Sequence, residues 1–187
     1  MSFPSIVSIL LGCSAVMIFL ERRGLPTTLE LKFKGDVKRE TRFLSQYGQT
    51  VCTVLTALLI LKLDPRHGPR IAEALLAAVI GVAIVGTILK RSLGRARPRR
   101  ENAGRFLGPS LEHANFRESF PSSHSASAFA FSTVLATAYP QAAGIFWLLA
   151  LVCAALRYVM DAHWPSDVLA GIALGLLAGF LSVKFLL

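Results

Sequence analysis

The sequence predicts an all-α, polytopic membrane protein: six transmembrane helices in a bundle, forming a single domain over residues 1–187. Three observations lead there. The chain is 53% hydrophobic and only 17% charged, where a soluble domain carries about 25% charged residues. The apolar residues fall into six blocks, 5–20, 43–63, 71–89, 125–139, 143–160 and 168–187. The charges collect in the connections, most of them on one side. Backbone polar groups find no water in hydrocarbon, so an apolar block approaching about 20 residues is read as a spanning helix.

Taken in order, the first block has no basic residue before it, and the "ERRG" that follows is a poor small-residue cleavage site. It is therefore read as a retained helix and not as a signal peptide. The segment 25–43 mixes leucines and phenylalanines with Lys32, Lys34, Lys38, Arg39 and Arg42. It fits either a short helix lying on the membrane or a solvated loop with scattered apolar residues. The second block leads through "KLDPRHGPR" to the third, which closes on Lys90, and the fourth opens on "PSSH". The fifth runs from "YPQAA" to "RYVMD", and "HWPSD" opens the sixth. Cys13, Cys52 and Cys153 lie in three different apolar blocks, where buried structural thiols are expected. Trp147 and Trp164 are expected as interfacial or packing aromatics. His67 and His113 join no motif. The net charge of +9 points to phosphate or lipid head groups and away from nucleic acid.

With six spans, the connections after the first, third and fifth blocks share a membrane face. Three polar constellations lie there. Lys90 is followed after six residues by Arg97-Pro98, Pro121 to His124 read "PSSH", and Arg157 is followed after five residues by His163 and after three more by Asp167. Arg97 and Arg157 give forked hydrogen bonds suited to phosphate, and Lys90 supplies a compact charge. "PSSH" places a proline in an expected first helical turn, where Ser122, Ser123 and free backbone N–H groups favour an anion. His163 and Asp167 are four residues apart. At that spacing the carboxylate can accept the Nδ1 proton and leave Nε2 as a nucleophile. His124 is then a separate acid for a departing oxygen. Two histidines and an aspartate also offer zinc ligands, but three neighbouring cations oppose a divalent ion, so no metal and no cofactor is expected.

These three constellations, in this order and at these places between spans, resemble the signature motifs of the type 2 phosphatidic acid phosphatase superfamily. The motifs cover residues 90–167, and the six-helix layout extends the resemblance over the chain. It implies a metal-independent lipid phosphatase with a phosphohistidine intermediate. On that pattern His163 is the nucleophile, Asp167 its orienting partner and His124 the general acid. Lys90, Arg97, Ser122, the backbone N–H groups of Ser123 and His124, and Arg157 hold the phosphoryl oxygens. Two positions depart from the pattern: Ser123 stands where the family usually has glycine, and Leu156 where it usually has serine.

The implied partners are the bilayer and a membrane lipid phosphate: a polyprenyl diphosphate, phosphatidylglycerophosphate, phosphatidic acid or a lipid A-type phosphate. The sequence does not choose among these, nor does it set the oligomeric state. A phosphotransferase on the same scaffold and a non-enzymatic lipid-phosphate transporter are the alternatives. The latter has no use for an oriented nucleophile. The resemblance implies a multi-pass protein of the bacterial cytoplasmic membrane with an extracytoplasmic site. Charge argues the other way. Only Lys62, Arg66, Arg70 and Lys184 of the 20 Lys and Arg lie off the motif face, and the positive-inside rule would turn that face to the cytoplasm.

Overall fold

The computed structural model describes residues 3–25, 27–29 and 34–187. Among these residues seven α-helices follow one another: α1 (Phe3–Arg22), α2 (Gly35–Leu44), α3 (Thr50–Leu63), α4 (Gly68–Leu93), α5 (Ser123–Ala138), α6 (Ala143–Val159) and α7 (Pro165–Leu186). Among the described residues the extended structure is a single antiparallel bridge between Arg95 and Phe106. The all-helical class and the multi-pass membrane character match the sequence reading, with a difference in the spans.

Among the described residues four stretches are long and apolar enough to cross a bilayer: α1, α4, α7, and α6 with the short turn before it. The second expected block, 43–63, is split. Its first residues end α2, the chain turns through 45–49, and only the 14 residues of α3 continue. Gly48 makes that turn at φ +73°, and a Cβ there would sit 2.7 Å from the Ala128 backbone. α5 has 16 residues. At about 1.5 Å per residue α3 and α5 rise roughly 21 and 24 Å, short of roughly 30 Å of hydrocarbon. α5 can be short because almost its whole length is buried among other helices.

The segment 25–43 is helical over 35–43, while 25, 27–29 and 34 are described without helix. α2 is ten residues long, with Asp36 and Arg39 paired at 3.1 Å and with Val37, Phe43 and Leu44 exposed; Lys32 lies outside the described residues. The thiols differ from expectation. Cys153 is buried, but Cys52 is half-buried and Cys13 is exposed on α1.

The core centres on α5. Its most extensive interface is with α7, followed by α6 and α4. The cause is a stripe on α7, Gly171, Gly175 and Gly179, one residue every four. A Cβ at Gly171 would meet the Ser122 carbonyl, at Gly175 the Ala126 carbonyl and Phe129, and at Gly179 Thr133. Small residues at this spacing let two backbones touch, the packing that works between helices in lipid. α1 docks on α7 through another stripe, at heptad spacing: Val7, Ser14 and Glu21. Val7 and Ser14 are buried, and the Ser14 hydroxyl donates to the Ser166 carbonyl at 2.9 Å.

One end of the bundle thus gathers the C-termini of α1, α4 and α6 and the N-termini of α5 and α7. Overpacking the α5–α7 seam should be felt by the whole fold. Gly175→Leu is expected to lower the thermal midpoint in detergent by a cost of about 1–3 kcal/mol or more. Gly81→Leu, where an added Cβ meets nothing within 4 Å, is expected to leave it unchanged.

Candidate active site

Each motif is set by a helix end. α4 stops because Gly94 takes the left-handed conformation at φ +60°, which glycine alone adopts without cost. The chain then folds back on itself: Ala96 N–H donates to Arg105 O, Arg97 N–H to Phe116 O, and Ser119 N–H to Arg95 O. This carries Lys90, at the end of α4, and Arg97, beyond it, to the mouths of α5 and α7.

α5 starts at Ser123, with Ser122 as its N-cap; Pro121 lies one residue before the cap and not in the first turn. The Ser122 hydroxyl bonds the Ser125 hydroxyl at 3.0 Å, and its N–H donates to Asp167 O at 2.9 Å. The side chain is fully buried and caps the helix, accepting from the Ser125 N–H at 3.5 Å. The N–H groups of Ser123 and His124, in the first turn, have no partner among the described residues and carry the positive end of the helix dipole. Ser123 is not among the residues with positive φ, which explains why serine fits where the family usually has glycine. Leu156 is half-buried on α6.

α7 starts at Pro165. Asp167 is its third residue and reaches back to the Trp164 N–H at 3.0 Å. His163 therefore precedes the helix, 1% exposed. Its Nδ1 donates to the Ser119 carbonyl at 2.8 Å, while Asp167 Oδ2 lies 3.7 Å away, too far for a hydrogen bond. The carboxylate thus acts on His163 by its charge and through Ser119, whose hydroxyl donates to Asp167 Oδ2 at 2.5 Å. Nδ1–H is committed, so Nε2 carries the lone pair. Burial lowers the His163 pKa to about 4, with the charges of Arg97 and Arg157 acting in the same direction and Asp167 against them.

The cations divide into two sets. Arg97 is clamped: its guanidinium donates to the carbonyls of Asn115 at 2.7 Å, Ala162 at 3.0 Å and Glu118 at 3.3 Å. Of its five N–H groups two are left for a ligand, and burial lowers its pKa. Lys90, Arg157 and the His124 ring have no hydrogen-bond partner among the described residues, and the Arg157 Nε is buried without one. Lys90, Arg97, Arg157, His124 and His163 all lie within electrostatic reach of one another. Unpartnered buried donors are costly, and an oxyanion is the kind of group that would satisfy donors converging in this way. Outside them opens a cavity of about 480 Å³ lined by Lys38, Arg42, Arg97, Arg99, Arg100, Arg157 and Asp161, among others. Arg99 and Asp161 form an ion pair at its rim.

Two buried charges escaped the sequence reading. Arg95, read there as one of a basic cluster, is fully buried. It donates to Asp167 Oδ1 and Ser166 Oγ, both at 2.5 Å, and to Glu21 Oε2 at 2.6 Å. Glu21 had a usable signal, as the lone carboxylate on a 20-residue apolar helix. Nothing in the sequence sets Arg95 apart from Arg91 or Arg99.

Comparison with known proteins agrees with this geometry. The profile of the PAP2 superfamily matches residues 72–187. A lipid A 1-phosphatase of Rhizobium johnstonii is 32% identical over 162 residues, covering 77% of this chain and 66% of the relative. The chain thus spans just under two thirds of that protein. An undecaprenyl-diphosphatase of Sulfolobus acidocaldarius is 31% identical over 149 residues, covering 76% of this chain and 67% of the relative. The crystal structure of a transmembrane PAP2-type phosphatidylglycerolphosphate phosphatase from Bacillus subtilis has the same fold, with a TM-score of 0.65 at 19% identity over 98% of this chain and 94% of that one. The profile match covers more than half of the chain and contains all three motifs, so the chain belongs to the PAP2 superfamily.

Proposed function

We propose that the protein hydrolyses a lipid phosphate through a phosphohistidine. The observation that carries this is the set of unpartnered donors, Lys90, Arg157 and the N–H groups of Ser123 and His124, gathered around a histidine whose Nδ1 is already committed. His163 Nε2 attacks phosphorus, the bond from phosphorus to the lipid oxygen breaks, and His124 gives its proton to that oxygen. Water then attacks the phosphohistidine while His124 takes a proton from it, releasing phosphate and restoring His163. The fixed cations stabilise charge on the equatorial oxygens without having to reorganise.

Phosphate release by the purified protein in EDTA is expected to disappear in His163→Ala. His124→Ala should lose about 10²–10⁴-fold on a lipid phosphate but far less on an aryl phosphate, whose oxygen leaves without protonation. Burial lowers the His163 pKa to about 4, so protonation of the nucleophile should contribute an acid limb to kcat/KM only near that value. An acid limb near the ordinary histidine value that moves neither with His124→Ala nor with the ionisation of the substrate phosphate would contradict the assignment of the nucleophile.

The outer cavity bears on the substrate. Six cationic residues line it against one carboxylate, more than a phosphate monoester of about −1.5 to −2 balances. This favours a lipid with a second anionic group, such as a polyprenyl diphosphate or a bisphosphorylated glycolipid, over phosphatidic acid. The relatives named above, a lipid A 1-phosphatase and an undecaprenyl-diphosphatase, support the same reading. Lys38→Ala with Arg42→Ala is expected to raise KM about tenfold, a loss of about 1.4 kcal/mol, for a lipid diphosphate and to leave KM for phosphatidic acid nearly unchanged. An equal rise for both would remove the second-anion reading.

The site is proposed to face away from the cytoplasm. Half of the 16 basic residues on its side, Lys38, Arg42, Lys90, Arg95, Arg97, Arg99, Arg100 and Arg157, line the cavity or belong to the site and its buried pairs. Their number thus reflects chemistry as much as orientation. With the native cysteines replaced, Leu111→Cys, at a position 90% exposed in the loop between α4 and α5, should react with an impermeant maleimide in intact cells. Protection until lysis would reverse the topology.

A further inference from the structure

A set of buried charges remains that the proposed chemistry does not use. The Glu21 side chain is 1% exposed and that of Arg95 0%. Glu21 accepts from the Ser166 N–H at 3.2 Å and the Ser166 hydroxyl at 2.6 Å, so this carboxylate from the end of α1 caps the start of α7. Arg95 lies between the rings of Phe106 and Trp164, 5.2 and 5.5 Å from their centroids. One arm meets Glu21, and the other meets Asp167 and Ser166. Glu21 lies outside the region matched by the family profile.

Docking α1 onto α7 would need only the contacts of Ser14 and Glu21 with Ser166. It would not need the second arm of Arg95 on Asp167, which closes a ring. Arg95 holds Asp167 Oδ1, Asp167 Oδ2 accepts the Ser119 hydroxyl, and the Ser119 N–H returns to the Arg95 carbonyl at 3.0 Å. The remaining polar group of Ser119, its carbonyl, holds His163 Nδ1. A rotation anywhere in the ring turns that carbonyl and, with it, the imidazole.

Resting on the proposal that His163 is the nucleophile, we infer that Glu21, Arg95 and Ser119 are positioning residues for phosphoryl transfer. Glu21 fixes Arg95, Arg95 fixes Asp167, and Asp167 fixes Ser119, whose carbonyl sets the tautomer and the angle of attack of His163. None of the three touches the phosphate, so their loss changes the rate of attack and not the affinity for the anion.

The test compares Glu21→Gln, Arg95→Lys and Ser119→Ala with wild type in the full-length, detergent-solubilised protein. It measures single-turnover phosphate release per folded molecule, KM, and inhibition by inorganic phosphate. Arg95→Lys keeps the charge but loses the fork that reaches three partners. Ser119→Ala removes one hydroxyl and keeps the carbonyl, so it remains informative if a charge variant fails to fold. Expected are losses in turnover on the order of 10- to 100-fold, the scale of a misplaced reacting group, with KM and the phosphate inhibition constant within about twofold. A merely structural role would lower the folded fraction and leave turnover per folded molecule at the wild-type value; that result in Ser119→Ala and Glu21→Gln overturns the assignment. A rise in KM and in the phosphate inhibition constant equal to the loss of turnover would also overturn it. A wild-type protein that releases phosphate from no lipid would instead defeat the proposed function, and this assignment with it.

Discussion

A guanidinium sealed inside a helical bundle constrains everything around it. Removing an ion from water costs several kcal/mol even after relaxation, and deleting one member of a buried pair costs about 3–5 kcal/mol. Arg95 is tolerable only because Glu21, Asp167, Ser166 and the Gly104 carbonyl surround it. That requirement fixes where α1 ends, where α7 begins and how the chain after Gly94 folds back. The burial of one charge thus accounts for contacts among segments far apart in sequence.

The same end of the bundle uses its cations in two ways. Arg95 and Arg97 are saturated or nearly so by carboxylates and carbonyls, and they give the loops their shape. Lys90 and Arg157 are left with open valences beside the mouth of α5. Holding donors unpaired is unfavourable for the empty protein. It is the arrangement that lets an incoming anion meet fixed dipoles and charges, with no protein bonds to break first.

Much of this was legible in the chain. The apolar blocks announced helices, and three short motifs announced the residues that meet. The physical reason is that helix ends are written locally, by Gly94, by Ser122 as a cap, and by Pro165 followed by Asp167. What was not legible depended on contacts across the fold. The second block looked continuous because hydropathy does not register a turn at Gly48, and the block 125–139 was read as a span although α5 is short and enclosed by its neighbours. Ser122 was expected to use its hydroxyl on phosphate, and its added part as the cap of α5, bonded to Ser125, was not foreseen. The spacing of His163 and Asp167 suggested a direct bond, but Ser119, from another part of the chain, stands between them. The α7 glycines, four residues apart, carried a packing signal that sequence reading could have taken up.

Those glycines have a consequence for how the chemistry is kept in register. Gly171 presses against the Ser122 carbonyl, and Gly175 against Ala126, one turn deeper. The separation between the start of α5, with His124, and the start of α7, beside His163, is therefore gauged by two backbones in contact within the hydrocarbon layer. The long loop above carries charges to the site and, through Arg95 and Ser119 near its two ends, orients His163. The loop thus supplies orientation, while the spacing of the two helix starts is inherited from the seam between α5 and α7.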